Sequence, residues 1–244
     1  MKAVILAAGR GKRLAETTEP AHTNKCMLKF NGKHLIEYSL ETAHLGNVDE
    51  MIVVVGHHAE DVINTYGIHY RNIKIRYVFQ EDQNGLVHAM EQTIGALQGD
   101  DFMLLLADEI LIDPRPIEMI RKFEQDNLFV ICGVTKVKNS NEIKNTYSVI
   151  HNPEDNMIYR LIEKPRNPIN DIMGTGNCIF KNAIFDYLPY TPINYFRQEK
   201  ELPDLIQCAI DDGKPVQLFY IGARYVNINT PDDIRKAESV FDGE

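Results

Sequence analysis

Ala3-Val4-Ile5-Leu6-Ala7-Ala8-Gly9-Arg10-Gly11-Lys12-Arg13-Leu14 opens as a short uncharged apolar run and passes at once into small residues, glycines and three cations. The run is long enough for one buried strand. A glycine-rich turn after it exposes successive backbone N–H groups that no side chain screens, which is how proteins cradle phosphate oxygens. Arg10, Lys12 and Arg13 add charge-assisted hydrogen bonds to such an anion. The same residues also suit an ordinary tight turn between a strand and a helix, and the segment read alone leaves both readings open. Two familiar phosphate motifs do not fit: a third glycine would be needed where Leu14 stands, and the GK[ST] of a P-loop is absent.

Outward from this stretch, apolar runs alternate with helical stripes. Strands are expected at 3–7, 51–55, 73–79, 102–106 and 128–134, with helices at about 34–45, 57–66, 86–97 and 115–125. Alternation of this kind predicts an α/β fold with a doubly wound, mainly parallel sheet. MIVVV and FMLLL are apolar throughout, as strands covered by helices on both faces are. The second half is less regular. Short alternating runs stand at 147–150, 157–162 and 176–180, a helix at 202–212 ends at Gly213, and strands are expected at 216–221 and 225–228. Thr230-Pro231-Asp232-Asp233 reads as the start of a last helix. No linker divides the chain, so the second half is expected to pack on the first as a lid or extension.

With 244 residues the chain can bury roughly 70% of its unfolded surface and needs no disulfide or metal to fold. Cys26, Cys132, Cys178 and Cys208 form no CxxC pair and read as free thiols. No run approaches the ~20 apolar residues of a membrane span, and the N-terminal run is too short for a signal peptide, so a cytoplasmic protein with no membrane partner is expected. A net charge of −9 argues against a nucleic-acid binder, which needs a basic face. An anionic substrate would be met by local cations.

In parallel sheets the ligand lies outside the carboxyl ends of the strands. Asp108-Glu109 follows the strand at 102–106, and such an acidic pair suits Mg²⁺ or a solvated turn. Asn227 and Asn229 share one face of a late strand end, where they can complete a metal site, bind a hydroxyl or lead into the Thr230 cap. Gln80 carries both a donor and an acceptor, the equipment for reading a nucleobase edge. In Glu163-Lys164-Pro165, the lysine can grip a phosphate while the glutamate accepts from hydroxyls, or the pair is a surface turn. Gly174-Thr175-Gly176-Asn177 and Arg197-Gln198-Glu199 offer further polar contacts. His57 and His58 lack partners at metal spacing and read as loop histidines.

Together these pieces resemble the sugar-phosphate nucleotidyltransferase family, in particular glucose-1-phosphate thymidylyltransferases and uridylyltransferases, over nearly the whole chain. LAAGRGKRL is similar to the family's loop AxGxGTRL, and Asn24-Lys25-Cys26-Met27-Leu28 stands at its PK-plus-apolar element. Gln80, Gly85 and Leu86 match its base-binding QxxxxGL, Asp108 its metal-binding aspartate, and Glu163-Lys164-Pro165 its EKP. Tyr147-Ser148 falls at a sugar-contacting Tyr-Gly pair, Arg197 with EKELPD at RxExExxD, and YVNINTPDDI at a strand ending WxDxGTPED. The departures are Lys12 in place of a small hydroxyl residue, Asn24 and Cys26 in place of common prolines, Ser148 in place of glycine, and Asn227 where many relatives place an aspartate. An asparagine ligand aligned closer to Asn229 is the other option for the metal.

The resemblance implies a Rossmann-like nucleotidyltransferase unit over 1–244, with a nucleotide part at 1–135 and a smaller acceptor-binding extension at 136–244. It implies that an NTP and a sugar 1-phosphate give an NDP-sugar and pyrophosphate, with Mg²⁺ held by Asp108 and either Asn227 or Asn229. Leu6, Ala7, Ala8, Gly9, Gly11, Lys12 and Arg13 would hold the nucleotide phosphates, with Gln80, Gly85 and Leu86 around a base expected to be a pyrimidine. Tyr147, Ser148, Glu163, Lys164, Asn177 and Arg197 would meet the acceptor, and Arg13, Lys25, Asp108 and Lys164 carry the catalytic charge set. A homo-oligomer is compatible with the resemblance. Two other readings stay open here: a cytidylyltransferase for a non-sugar phosphate such as choline phosphate, motivated by Ser148, and a nucleotide-sugar sensor without catalysis.

Overall fold

Burial on both faces makes Met51-Ile52-Val53-Val54-Val55 a central strand: all of Glu50–Val55 is buried. The computed structural model describes residues 1–9, 24–222, 224–228, 233 and 237. Arg10, Gly11, Lys12, Arg13, Asn229 and the Thr230 cap lie outside these described residues. The strands are β1 (Lys2–Leu6), β2 (Lys29–Phe30), β3 (Lys33–His34), β4 (Glu50–Val55), β5 (His69–Tyr70), β6 (Ile73–Phe79) and β7 (Phe102–Leu106). They continue with β8 (Glu109–Ile112), β9 (Val130–Lys136), β10 (Tyr147–His151), β11 (Ile158–Glu163), β12 (Ile172–Phe180), β13 (Val216–Tyr220) and β14 (Arg224–Asn227). The α-helices are α1 (Leu35–Leu45), α2 (Ala59–Tyr66), α3 (Leu86–Glu91), α4 (Ile94–Leu97), α5 (Pro116–Gln125) and α6 (Leu202–Asp211).

β6, β4, β1 and β7 lie side by side in parallel, within a mixed sheet of ten strands. Alternate residues feed opposite cores. Ala3, Ile5, Met51 and Val53 pack with residues of α1, α2 and α5, whereas Val4, Ile52, Val54 and Leu104 pack with those of α3, α4 and α6. The sheet is thus wound on both faces, and each buried aliphatic side chain stabilises it by about 1.5–3 kcal/mol. The helix expected at 86–97 is interrupted. The buried Thr93 hydroxyl turns back to Met90 O at 2.6 Å and offers the backbone an alternative to the helical ladder.

The antiparallel half is organised by β12, whose nine residues are all buried. One edge pairs with β9 from Ile172 to Gly174 and again from Cys178 to Phe180; the other pairs first with β10, at Met173 and Gly174, and then with β7, from Cys178 to Phe180. Between those partners the ladder shifts register, and Thr175-Gly176-Asn177 sits at a fork in the sheet. Only 176–180 was expected as strand, because glycines weaken the pattern; here they answer to close approach. A Cβ on Gly174 would stand 2.0 Å from the Tyr147 ring, and one on Gly176 2.2 Å from Leu106. β8 pairs antiparallel with β14, placing Asn227 opposite Glu109 beside the end of β7. Among the described residues, no helix is long and apolar enough to cross a membrane.

Candidate active site

The carboxyl ends of β1, β6 and β7 open on a cavity of about 290 Å³, bordered by Leu6, Ala7, Ala8, Gly9, Gln80 and Asp108. Lys25 reaches it from a short 3₁₀ turn (Lys25–Met27) that Asn24 builds. The Asn24 amide donates to Ala7 O and His57 O, both at 3.0 Å, and its Oδ1 accepts from Cys26 N–H at 3.1 Å. One side chain thus anchors the lysine-bearing turn to the end of β1. Lys25 Nζ lies 2.6 Å from Asp108 Oδ2. Only 11% of the Lys25 side chain is exposed, so this charge points into the cavity mouth.

Across the cavity, Gln80 is buried, and its Nε2 is placed 3.2 Å from Gly85 O and 2.9 Å from His88 Nδ1. Gln83, which carried no signal in the sequence beyond its turn position, donates to Ala8 O at 2.7 Å and borders the same cavity. Gly85 has φ 95° and ψ 179°, a region open essentially to glycine alone. A Cβ there would also stand 2.6 Å from Glu199 Oε2.

A second cavity, of about 260 Å³, opens at the sheet fork and shares Leu86, Leu106 and Glu199 with the first. Lys164 and Arg197 both face Glu163 Oε1, at 3.3 and 2.9 Å, and Arg197 also meets Glu201 Oε1 at 2.7 Å. Lys164 sits at φ 41°, a left-handed conformation that costs a non-glycine residue roughly 1–2 kcal/mol. Its N–H is held there by Thr146 O at 2.7 Å. The Thr146 hydroxyl borders the cavity and is buried with no hydrogen-bond partner among the described residues.

Two expected acceptor residues do not reach this cavity. Tyr147 borders it, but strand alternation sends Ser148 to the opposite face, where its fully buried hydroxyl meets Asn170 Oδ1 at 3.4 Å. Asn177 is buried behind the cavity wall, its Nδ2 donating to Glu109 Oε2 at 2.6 Å. Tyr147's own hydroxyl is committed to Thr175 O at 2.9 Å, and burial pushes its phenol well above the ordinary range.

Desolvation and the neighbouring Glu163 charge push Glu201 up to about 7 from its ordinary 4.5, against the pull of Arg197 and Lys164. A carboxyl that holds its proton more tightly when folded makes stability fall as pH rises from the ordinary carboxylate range through about 7. The Glu201→Gln variant is therefore expected to lose less unfolding free energy between pH 5 and pH 8 than the parent, by about 1–2 kcal/mol in urea titrations. An unchanged slope would reject Glu201 as the group responsible.

Asp108 and Asn227 are brought near each other by the backbone, Ile228 N–H donating to Asp108 O at 3.0 Å, with Asp108 bordering the first cavity and Asn227 the second. One carboxylate and one amide oxygen are hard donors that suit Mg²⁺, a cation that keeps water and takes phosphate oxygens for its other ligands. Among the described residues no group of three or more His, Cys, Asp or Glu gathers for a metal. Glu109, expected as part of the acidic pair, turns away from Asp108 into the interior. It accepts from Tyr225, Gly176 and Asn177, and desolvation pushes its carboxyl up to about 8.

The strand-end cleft thus sets a lysine–aspartate pair at one cavity and a lysine–arginine pair at the next, charges that suit phosphorylated ligands. Comparison with known proteins agrees: the nucleotidyl transferase family model matches residues 2–239, and the chain belongs to that family. A UTP–glucose-1-phosphate uridylyltransferase from Haloferax volcanii is 30% identical over 239 residues, covering 98% of this chain and 95% of that protein. A UDP-glucose pyrophosphorylase solved with UDP-glucose superposes with a TM-score of 0.86 at 19% identity, over 99% of this chain and 98% of the other. The inositol-1-phosphate CTP transferase from T. maritima gives 0.76 at 22% identity, over 95% and 90%. These two structures share the mixed α/β fold with its mainly parallel core.

Proposed function

We propose that this chain joins an NTP to a sugar 1-phosphate, releasing pyrophosphate and an NDP-sugar, with residues 1–135 handling the nucleotide and 136–244 the acceptor. The observation that carries this reading is the pair of adjoining cavities, each with its own cations: Lys25 beside Asp108, and Lys164 beside Arg197. The Haloferax relative, similar over almost its whole length, supports the same substrate classes. An oxygen of the sugar 1-phosphate attacks the α-phosphorus in line. The bond from that phosphorus to the bridging oxygen of the β-phosphate breaks, and pyrophosphate leaves with the electron pair. The attacking phosphate is largely ionised at pH 7, so no general base is required, and catalysis is positioning plus electrostatics.

Lys25 meets the α-phosphate as charge develops, and Lys164 with Arg197 holds the attacking phosphate. Arg13 and the loop amides of Gly9, Gly11 and Lys12 are assigned to the β and γ phosphates on the sequence resemblance. Asp108 and Asn227 are the residues that would hold Mg²⁺, whose charge would offset the repulsion between two anions in a site of lowered dielectric. Gln80 reads the base. Its amide nitrogen is held by Gly85 O, which leaves Oε1 to accept from N3–H of uracil or thymine. Cytosine presents a lone pair at that position, and Ser148, which motivated a cytidylyltransferase for a non-sugar phosphate, faces away from the acceptor cavity.

The test is a substrate panel read as pyrophosphate: UTP, dTTP and CTP against hexose 1-phosphates, inositol 1-phosphate and choline phosphate. UTP or dTTP with a hexose 1-phosphate is expected to lead by at least tenfold. Preference for CTP with a non-sugar acceptor would replace this reading with the cytidylyltransferase one, and nucleotide binding without pyrophosphate from any pair would revive the sensor.

A further inference from the structure

A nucleotide bound with its base at Gln80 and its α-phosphate at Lys25 must pass its ribose between them, and the proposed reaction leaves one carboxylate of this cavity unused. Glu199 stands half-buried on the wall that the two cavities share. Its loop holds it there. Ile193 and Lys200 pair as an antiparallel bridge, Asn194 N–H donates to Glu199 O at 2.7 Å, and Gln198 N–H donates to Asn194 O at 2.8 Å. Asn194 Oδ1 accepts from the N–H groups of Phe196 and Arg197 at 3.0 and 3.2 Å, and Gln198 turns the chain at φ 57°. The turn leaves Arg197 at the acceptor cavity and Glu199 at the join of both.

The Glu199 side chain packs on Gly85, where an added Cβ would stand 2.6 Å from Oε2 and 3.0 Å from the Glu199 Cβ. The Gly85 carbonyl in turn holds the amide of Gln80 at 3.2 Å. Glu199 therefore leans on the same residue that orients the base-reading side chain. A carboxylate only accepts hydrogen bonds, so the group it recognises must be a donor. Among the described residues its oxygens make no hydrogen bond or ion pair. A nucleoside triphosphate carries donors in two places: the edge of its base, assigned to Gln80, and the hydroxyls of its ribose. Its phosphates repel a carboxylate. The acceptor's hydroxyls have Glu163 within their own cavity.

We propose that Glu199 reads the ribose, its carboxylate accepting from the 2′-hydroxyl, so that the first cavity takes a ribonucleoside triphosphate in preference to its 2′-deoxy form. This rests on the nucleotide-transfer reading above and sharpens it, selecting UTP over dTTP. The experiment is calorimetric titration of UTP and dUTP, which differ only in that hydroxyl, with Mg²⁺ present and no acceptor and hence no transfer. The unsubstituted protein is expected to bind UTP at least tenfold more tightly than dUTP, the range of a hydrogen bond to a charged group. Glu199→Gln, which keeps the size and removes the charge, is expected to weaken UTP about tenfold and dUTP not at all, bringing the two within about twofold.

Equal affinity of the unsubstituted protein for UTP and dUTP would overturn the proposal. So would an equal loss for both nucleotides in Glu199→Gln, the mark of a merely structural role. An unchanged UTP-to-dUTP ratio in that variant, with a raised KM for the sugar phosphate in the pyrophosphate assay, would move Glu199 to the acceptor and overturn it too. If neither nucleotide binds the unsubstituted protein, the nucleotide reading itself fails, and the ribose role with it.

Discussion

Asp108→Asn is expected to lower pyrophosphate release by about 10³-fold, and Lys25→Ala by a similar factor, in a protein that still folds. The two side chains meet at 2.6 Å at the mouth of the nucleotide cavity, one offering the carboxylate that would hold Mg²⁺ and the other the charge for the α-phosphate. Asparagine keeps the shape of Asp108 and removes the charge that a hard cation requires. Stability is expected to change little. The Asp108 side chain is 29% exposed, and ion pairs open to solvent contribute at most about 1 kcal/mol. Steady-state pyrophosphate release beside a thermal unfolding midpoint separates the two effects. Near-normal release from both variants would remove the site from this end of the sheet.

Arg197→Ala is expected to be as damaging, but on the acceptor side. Arg197 bridges Glu163 at 2.9 Å and Glu201 at 2.7 Å, so its removal deletes a phosphate partner and leaves the Glu163 carboxylate facing the incoming dianion. The expected result is a fall of about 10³-fold in kcat/KM for the sugar phosphate with the KM for nucleotide within about twofold. Adding Glu163→Gln is expected to recover part of the loss, because the stranded charge goes with it. A change confined to the nucleotide KM would contradict the assignment of the second cavity.

Much of this arrangement is legible in the chain, for identifiable reasons. MIVVV and FMLLL are apolar because both faces are covered, and Gln80 and Asp108 follow strand ends where parallel sheets bind ligands, so the order of elements locates the cleft. The parts that escape depend on contacts between distant residues. The strand over Ile172–Phe180 is longer than its pattern suggests because two glycines inside it admit Tyr147 and Leu106, which no local window reveals. Ser148 and Asn177 carry suitable chemistry for an acceptor but do not border its cavity: Ser148 alternates to the opposite face from Tyr147, and Asn177 lies in the register change at the fork. Glu109 read as half of an acidic pair, whereas the β8–β14 pairing turns it inward to Tyr225. Asn24 and Gln83 read as turn residues, and they are; their importance comes from the carbonyls of Ala7 and Ala8 that they hold.

The central claim is that two cavities, each with its own cations, serve one transfer between two anions. It is tested most directly by mixing the protein and Mg²⁺ with UTP or dTTP, with and without glucose 1-phosphate, and following pyrophosphate and nucleotide sugar together. Pyrophosphate is expected only when both substrates are present, in one-to-one ratio with the NDP-sugar. Release of phosphate or pyrophosphate from the nucleotide alone at the same rate, with no NDP-sugar formed, would contradict it.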